Sequence, residues 1–206
     1  KNFIGTETPT FSLSVNGIGK GSLIFGKDSS LVQANRKEIT WKTDANWIST
    51  SSALFARYHN NTDYKTKITF DLTQEKSYFP VEDYNKMVGT VNTGFNLTYK
   101  DEKYYYNATE KGSINRHPPV IITIDGANVT IPVEALFKVE DSKTPFIYTF
   151  MVEANSLKTN NDEQQTIFGS HFLSNFYTVF TSPKAEEHSI QLNPIYTAFI
   201  DPPSSS

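Results

Sequence analysis

Apolar and polar residues alternate along many short stretches of this chain, and this pattern predicts β-strands. Phe11, Leu13 and Val15 are separated by single polar residues. A strand over residues 10–16 would therefore bury one face and leave the other in water. A glycine-containing turn follows, and residues 22–26 resume the apolar pattern. Two such runs joined by a short glycine-containing loop predict a β-hairpin.

The same signal returns along the rest of the chain. Further strands are predicted over residues 38–42, 66–72, 120–124, 128–131, 147–152, 176–181, 189–192 and 195–199. β-branched and aromatic residues are frequent in these segments, as is typical of strands. Because short strands greatly outnumber helical segments, the sequence predicts an all-β domain with short helices.

Helical signals are few, and all of them are short. Residues 81–88 follow Pro80, which suits the start of a helix, and precede Gly89, which suits its end. Residues 132–137 and 170–175 are each long enough for one or two helical turns. These segments predict small helices that connect strands.

Length, composition and charge bound the possible organisation and partners. The 206 residues, with 37% apolar side chains, 15 Phe and 11 Tyr, are enough for one hydrophobic core. We expect one domain over residues 1–200, a surface loop over residues 155–165 and a flexible tail over residues 201–206. A net charge of −3 without a Lys/Arg cluster excludes nucleic acid and anionic membranes as expected partners. No apolar run is long enough to span a bilayer.

Residue types that bind metals or cofactors are sparse. The chain contains no cysteine, which excludes disulfides, thiol catalysis and cysteine-ligated zinc. Its four histidines are dispersed and lack the i, i+4 spacing of a metal site: His59, His117, His171 and His188. No glycine-rich phosphate loop follows a predicted strand. We therefore expect neither a metal nor an organic cofactor.

Four Asn-x-Ser/Thr sequons are candidates for N-glycosylation. They begin at Asn60, Asn96, Asn107 and Asn128, and their use would place the chain in the secretory pathway. A chain with 17 Asn and 42 Ser plus Thr residues gives about 3.5 sequons by chance. The sequons are therefore compatible with glycosylation without indicating it.

Several blocks of the sequence carry a family resemblance, and they occur in the order that the family shows. Residues 21–28 resemble a G-x-L-x-x-G-G-x-D hairpin, and residues 67–80 resemble a loop that carries a catalytic aspartate. Residues 120–132 resemble a hairpin of pattern F-x-I-x-G-x-x-x-x-x-P. Residues 166–180 resemble I-L-G-D-x-F-L-R-x-Y-Y-x-V-F-D. In this order and spacing, the blocks resemble the C-terminal lobe of the pepsin-like aspartic peptidases.

The resemblance implies a fold and a missing part. It implies a pepsin-like aspartic peptidase lobe, a β-barrel or sandwich whose active loop lies at a ψ-shaped crossing of strands. Residues 1–200 would then be a C-terminal lobe, and the N-terminal lobe with its own aspartate is absent from this chain. The expected partners are that lobe or another protein chain, and an extended polypeptide. The expected location is the secretory pathway, a vacuole or lysosome, or the extracellular space.

The catalytic residue that the resemblance implies is Asp71. The family continues this loop with Thr or Ser, then Gly, then Thr or Ser, whereas this chain has Leu72, Thr73 and Gln74. Leu72 has no hydroxyl to brace the loop, the branched Cβ of Thr73 is expected to crowd the aspartate, and Gln74 is bulkier. Well-placed carboxylates depend on such neighbours, so the loop is predicted to be degenerate.

Other residues complete the predicted loop region. The resemblance assigns three of them to the support of the active loop: Ile167, Phe168 and Gly169. Glu75 and Lys76 place charges in a stretch that the family keeps small and buried. Residues 91–94 resemble the active triad with asparagine in place of aspartate, but they follow the predicted helix, so we interpret them as a turn.

The chemistry of the family separates the functional hypotheses. It needs two carboxylates that share a proton, one acting on a water and the other on the scissile carbonyl. One lobe supplies one carboxylate, so the isolated chain is not expected to be active. The leading hypothesis is a catalytically inactive lobe that binds a polypeptide or assembles with a partner lobe.

Two alternatives stay open. The chain could be the C-terminal part of an active two-chain aspartic endopeptidase that uses Asp71, or a structural β-protein without a groove function. A lobe without its partner is expected to expose an apolar patch.

Overall fold

A computed structural model describes residues 10–31, 38–51, 66–109, 114, 117–124, 127–141, 146–155, 164–184 and 187–195. The sequon at Asn60, the strand beyond Ile195, residues 156–163 of the predicted loop and the tail lie outside these residues. Within them the chain forms sixteen strands, two α-helices and two short 3-10 turns.

The strands follow one another in short steps along the chain. They are β1 (Thr10–Gly17), β2 (Lys20–Phe25), β3 (Ile39–Thr43), β4 (Ser49–Ser51), β5 (Thr66–Asp71), β6 (Ser77–Pro80), β7 (Thr98–Lys100), β8 (Lys103–Ala108), β9 (Val120–Ile124), β10 (Ala127–Ile131), β11 (Phe137–Asp141), β12 (Phe146–Phe150), β13 (Val152–Asn155), β14 (Gln164–Gly169), β15 (Phe176–Lys184) and β16 (Glu187–Pro194). The helices are α1 (Val81–Phe95) and α2 (Ser170–Leu173), and the 3-10 turns are Ser29–Leu31 and Val133–Leu136.

Four sheets arise from these strands. The terminal sheet has the order β2-β1-β15-β16-β3, and the ψ sheet has the order β13-β6-β14-β5-β4. A four-stranded sheet has the order β11-β12-β8-β7, and β9 pairs with β10 as a hairpin. The terminal sheet is antiparallel throughout, whereas β5 and β14 of the ψ sheet run parallel. The expected all-β fold with short helices is confirmed.

Aromatic residues fill the core between the ψ sheet and the terminal sheet. The ring of Phe168 lies 5.6 Å from that of Phe79 and 4.3 Å from that of Phe172. Phe172 in turn contacts Phe176 at 5.0 Å, and all four side chains are at most 2% exposed. Burying a side chain of this kind contributes about 1.5–3 kcal/mol, so this row of rings stabilises β14 and β6, the two strands beside the Asp71 loop.

Most predicted strands are confirmed, but the helix after Pro80 is longer than expected. The prediction that Gly89 ends α1 is wrong, because the helix continues to Phe95. Met87, Val91 and Phe95 recur every four residues and are all buried, so packing of this face outweighs the low helix propensity of the glycine.

Two smaller predictions are also corrected. Residues 91–94 are not a separate turn but lie in the last part of α1, which is capped by Asn96 in a left-handed conformation. The single strand predicted over residues 147–152 is two strands, β12 and β13, because Met151 leaves the ladder between them. Its backbone instead donates to Leu136 O at 2.7 Å and accepts from Ser77 N at 3.0 Å.

Candidate functional site

Asp71 lies where three strands of the ψ sheet meet. It ends β5, and residues 72–76 lead from it into β6. Strand β14 lies between these two strands, parallel to β5 and antiparallel to β6. Gly169, the last residue of β14, is paired with Asp71. This insertion of a distant strand into a hairpin is the ψ-shaped crossing that the resemblance implied at this aspartate.

Gly169 allows the strands at the crossing to pack closely. A Cβ on this residue would lie 2.1 Å from Lys76 O and 2.8 Å from Glu75 O, which is closer than carbon and oxygen can approach. The backbone of Gly169 is extended, with φ −84° and ψ 176°, so glycine is needed here for space and not for an unusual conformation. Its N–H donates to Ser77 Oγ at 3.1 Å. The glycine therefore brings the start of β6 against the end of β14.

The loop between β5 and β6 is also held through its carbonyl groups. Ser170 N–H donates to Gln74 O at 2.8 Å, and His171 N–H donates to Glu75 O at 3.1 Å. These are the first N–H groups of α2, which have no partner inside their own helix. The carbonyls of residues 74 and 75 satisfy them, so the loop and α2 fix each other.

The Asp71 carboxylate is hydrogen-bonded within its own loop. Asp71 Oδ1 accepts from Thr73 N at 2.9 Å and from Thr73 Oγ1 at 2.6 Å. The expectation that Thr73 crowds the aspartate is therefore wrong, because its hydroxyl faces the carboxylate and its N–H still reaches it. Local bonds of this kind are typical of Asp in turns. Gln74 is exposed and contributes a backbone N–H to Asp71 O at 3.4 Å.

The remaining predicted loop residues contact the core or neighbouring strands. Leu72 is partly buried against the core, and its carbonyl accepts from Gly19 N at 3.1 Å, at the tip of the β1–β2 hairpin. Phe168 is fully buried, whereas Ile167 is partly exposed beside its partner Tyr78. The structure therefore brings every predicted loop residue to the crossing.

Both charged residues of the loop have partners that the sequence did not indicate. Glu75 Oε1 accepts from Lys138 Nζ at 2.7 Å, and this hydrogen bond raises the pKa of Lys138. Lys76 Nζ forms an ion pair with Glu153. Lys138 and Glu153 lie on β11 and β13, far from the loop in sequence, and no local pattern marks them. Glu75 is thus engaged elsewhere and is not a second carboxylate available to Asp71.

Other candidate residues lie apart from this crossing. Asn96, Asn107 and Asn128 are exposed, so each sequon asparagine that the structure describes is accessible. A surface depression lies on the outer side of α1, lined by Asn85, Lys86, Gly89, Thr90 and Thr93. In the described ranges, no three His, Asp or Glu residues are grouped as a metal site would require. Among the same residues, no helix has the length and apolarity needed to cross a membrane.

Comparison with known proteins gives a family and a similar fold. The family model described as "Eukaryotic aspartyl protease" matches residues 3–193, and no curated protein matches the chain. Among solved structures, the aspartic proteinase from Irpex lacteus is similar in fold, with a TM-score of 0.57 and 13% sequence identity. The match covers 95% of this chain and 59% of that proteinase.

These findings agree with the geometry at Asp71. The family match extends over both partners of the crossing, the loop after β5 and the strand that ends at Gly169. The similar proteinase is longer, so this chain spans little more than half of its length. The fold and the family match lead to one conclusion: the chain belongs to the eukaryotic aspartyl protease family, pepsin-like in type.

Proposed function

We propose that this chain is a catalytically inactive aspartic-peptidase lobe that binds polypeptide or assembles with a partner lobe. The observation that carries the proposal is the state of the loop at Asp71. Leu72 packs against the core and has no hydroxyl to brace the loop. The other carboxylate of the loop, Glu75, is paired with Lys138. The peptidase mechanism needs two carboxylates that share a proton. This loop supplies a single available carboxylate, that of Asp71.

An exposed apolar surface supports assembly with a partner. Strand β2 is an edge strand of the terminal sheet. Leu23 and Phe25 alternate along it and so lie on one face, where they are 57% and 80% exposed. Among the described strands, an edge that also carries large apolar side chains is a site for association with another chain. We propose a second peptidase-like lobe as the partner, because the similar proteinase is longer than this chain.

Polypeptide binding and cleavage are tested together. The chain is mixed with a fluorescent, chemically unfolded protein between pH 3 and pH 7, alone and with an N-terminal lobe supplied as a second chain. Binding is followed by anisotropy and cleavage by gel electrophoresis. Binding without cleavage at every pH supports the proposal. Absence of both binding and association with the second lobe overturns it.

The second candidate function is an active two-chain endopeptidase that uses Asp71. Its supporting observation is that Asp71 keeps two short hydrogen bonds and lies at the crossing, so a partner carboxylate would complete a pair. The test is cleavage at acid pH in the presence of the second lobe. Cleavage that disappears in Asp71→Ala, together with binding of a transition-state analogue, establishes this candidate and excludes the first.

Location and modification are part of the same proposal. We propose that the chain enters the secretory pathway and that Asn96, Asn107 or Asn128 carries a glycan. Exposure of all three asparagines supports this. Expression in a secreting eukaryotic cell followed by enzymatic deglycosylation and intact-mass measurement tests it. An unchanged mass overturns the glycan proposal and leaves the binding proposal intact.

A further inference from the structure

We infer that Lys138 and Glu153 are positioning residues for the Asp71 loop, which they hold from two sides through ion pairs with Glu75 and Lys76. The inference rests on the proposed function for its consequence, since a held loop matters only if the loop meets a ligand. The pairs themselves concern the loop alone, and they can be tested without any ligand.

The two ion pairs reach different sheets. Lys138 lies on β11, in the four-stranded sheet, whereas Glu153 lies on β13, at the edge of the ψ sheet. The loop residues Glu75 and Lys76 are adjacent in the chain, and their side chains pair with different sheets. One short segment is therefore attached to both sheets at once.

Backbone bonds place these partners on either side of the loop. Ser77 N–H donates to Met151 O at 3.0 Å, and Met151 N–H donates to Leu136 O at 2.7 Å. Lys138 is two residues after Leu136 in the sequence, and Glu153 is two residues after Met151. Both side chains are therefore carried by strands that begin next to these backbone hydrogen bonds. The fold thus delivers one positive and one negative side chain to the end of the loop, opposite residues of complementary charge.

Both ion pairs are partly buried, so water and salt weaken them only in part. The Lys76 side chain is 19% exposed and its partner Glu153 is 39% exposed; Glu75 and Lys138 are 35% and 43% exposed. Side chains at this depth are screened by salt less than fully exposed ones. Burial raises the pKa of Tyr84 on α1 to about 12, and the charge of Glu153 adds the smallest of the contributions. The Lys76 pair therefore lies beside α1 as well as β13.

The effect on Asp71 is transmitted through the loop backbone. Glu75 O and Gln74 O accept from the first N–H groups of α2, and Thr73 N–H binds the Asp71 carboxylate. If residues 75 and 76 move, these carbonyls lose their donors and the turn at Thr73 opens. The ion pairs then position Asp71 without touching it.

Hydrogen exchange of three amides measures this effect directly: Thr73, Ser170 and His171. In Glu75→Gln or Glu153→Gln, their exchange is expected to be about 3- to 5-fold faster, and in the double variant about 10-fold or more. Amides of the β15–β16 ladder should be unchanged. The matched control is Glu102→Gln, which removes an exposed carboxylate in the β7–β8 turn and should change none of the three amides.

Charge exchange separates positioning from a general loss of structure. The double variant Glu75→Lys with Lys138→Glu keeps the pair with reversed polarity, so it should restore slow exchange that Glu75→Lys alone loses. High salt should bring the native chain toward the double neutral variant. Unchanged exchange of the three amides in the double neutral variant, or equal acceleration of all amides, overturns the inference. If the native chain binds no polypeptide but the three amides respond, the proposed function fails and the positioning role stands.

Discussion

Replacing Gly169 by alanine is expected to open the crossing at Asp71. The new Cβ would lie 2.1 Å from Lys76 O and 2.6 Å from Lys76 C. Both are backbone atoms, so no side-chain rotation can relieve the contact. Either β14 or the start of β6 must move by about 1 Å to reach an ordinary van der Waals distance.

The cost follows from what that movement breaks. Forcing an extra carbon into a packed site costs about 1–3 kcal/mol. The displaced loop also weakens the bonds from Ser170 N–H to Gln74 O and from His171 N–H to Glu75 O, each worth about 1 kcal/mol. Alanine reduces the entropy of the unfolded chain, which offsets about 0.4–1 kcal/mol. The net expectation is a loss of about 3 kcal/mol in the free energy of unfolding.

The assay is urea unfolding of the native chain and of two alanine variants. Gly89→Ala is the matched control, because Gly89 is a helical, exposed glycine and, apart from the nearby backbone of its own helix, nothing lies within 4 Å of the position that a Cβ would occupy. That variant should gain about 0.5–1 kcal/mol from helix propensity. Gly→Ala is thus expected to lower the free energy of unfolding at residue 169 and to raise it at residue 89. A general effect of adding a methyl group would have the same sign at both sites.

A small effect at Gly169 would refute the steric argument. If Gly169→Ala lies within about 0.5 kcal/mol of the native chain, then β6 does not pass against β14 as described. Faster hydrogen exchange at Ser170 in Gly169→Ala, with β16 unaffected, would show that the loss is local to the crossing.

Three further predictions concern single side chains. Thr73→Val removes the 2.6 Å hydroxyl bond to Asp71 and should lower the free energy of unfolding by about 0.5–1 kcal/mol in urea; no change would contradict a role for that bond. Burial lowers the pKa of His117 below 6.5, so the unfolded chain binds more protons. Stability should therefore fall as the pH drops below 6.5, and calorimetry of His117→Phe should show a flatter dependence. Phe25→Ser should weaken association with a second peptidase-like lobe in sedimentation, with stability changed by less than about 0.5 kcal/mol; unchanged association would contradict the exposed-edge argument.

Alternation predicts strands well where one face is buried and the other is wet. β9 follows this pattern, because Val120, Ile122 and Ile124 are buried and the residues between them are not. β1 departs from it, because the polar Ser12 on its other face is also fully buried. β8 does not show it either, because its three consecutive tyrosines are all partly buried. β6 is four residues long and ends at Pro80, so it offers too short a window for any periodicity.

Some residues of the candidate site could be predicted from the sequence, and others could not. Asp71 and Gly169 could be located because a local motif surrounds each of them. The partners of the loop could not, since Lys138 lies 63 residues from Glu75 and Glu153 lies 77 residues from Lys76. Only the folded arrangement of β11 and β13 brings these charges together. Thr73 shows a further limit, because its hydroxyl orientation reverses the effect that its size alone suggests.

The insertion of β14 between β5 and β6 has a consequence for how the protein is made. Thr66 of β5 meets Thr166 of β14 through a buried hydroxyl contact at 2.8 Å, 100 residues further along the chain. At ribosomal speeds this separation corresponds to roughly 5–20 s of synthesis. During that interval β5 lacks β14, its neighbour in the sheet, and the nascent chain exposes an incomplete ψ sheet. Asp71 gains its pairing with Gly169 only when β14 has emerged.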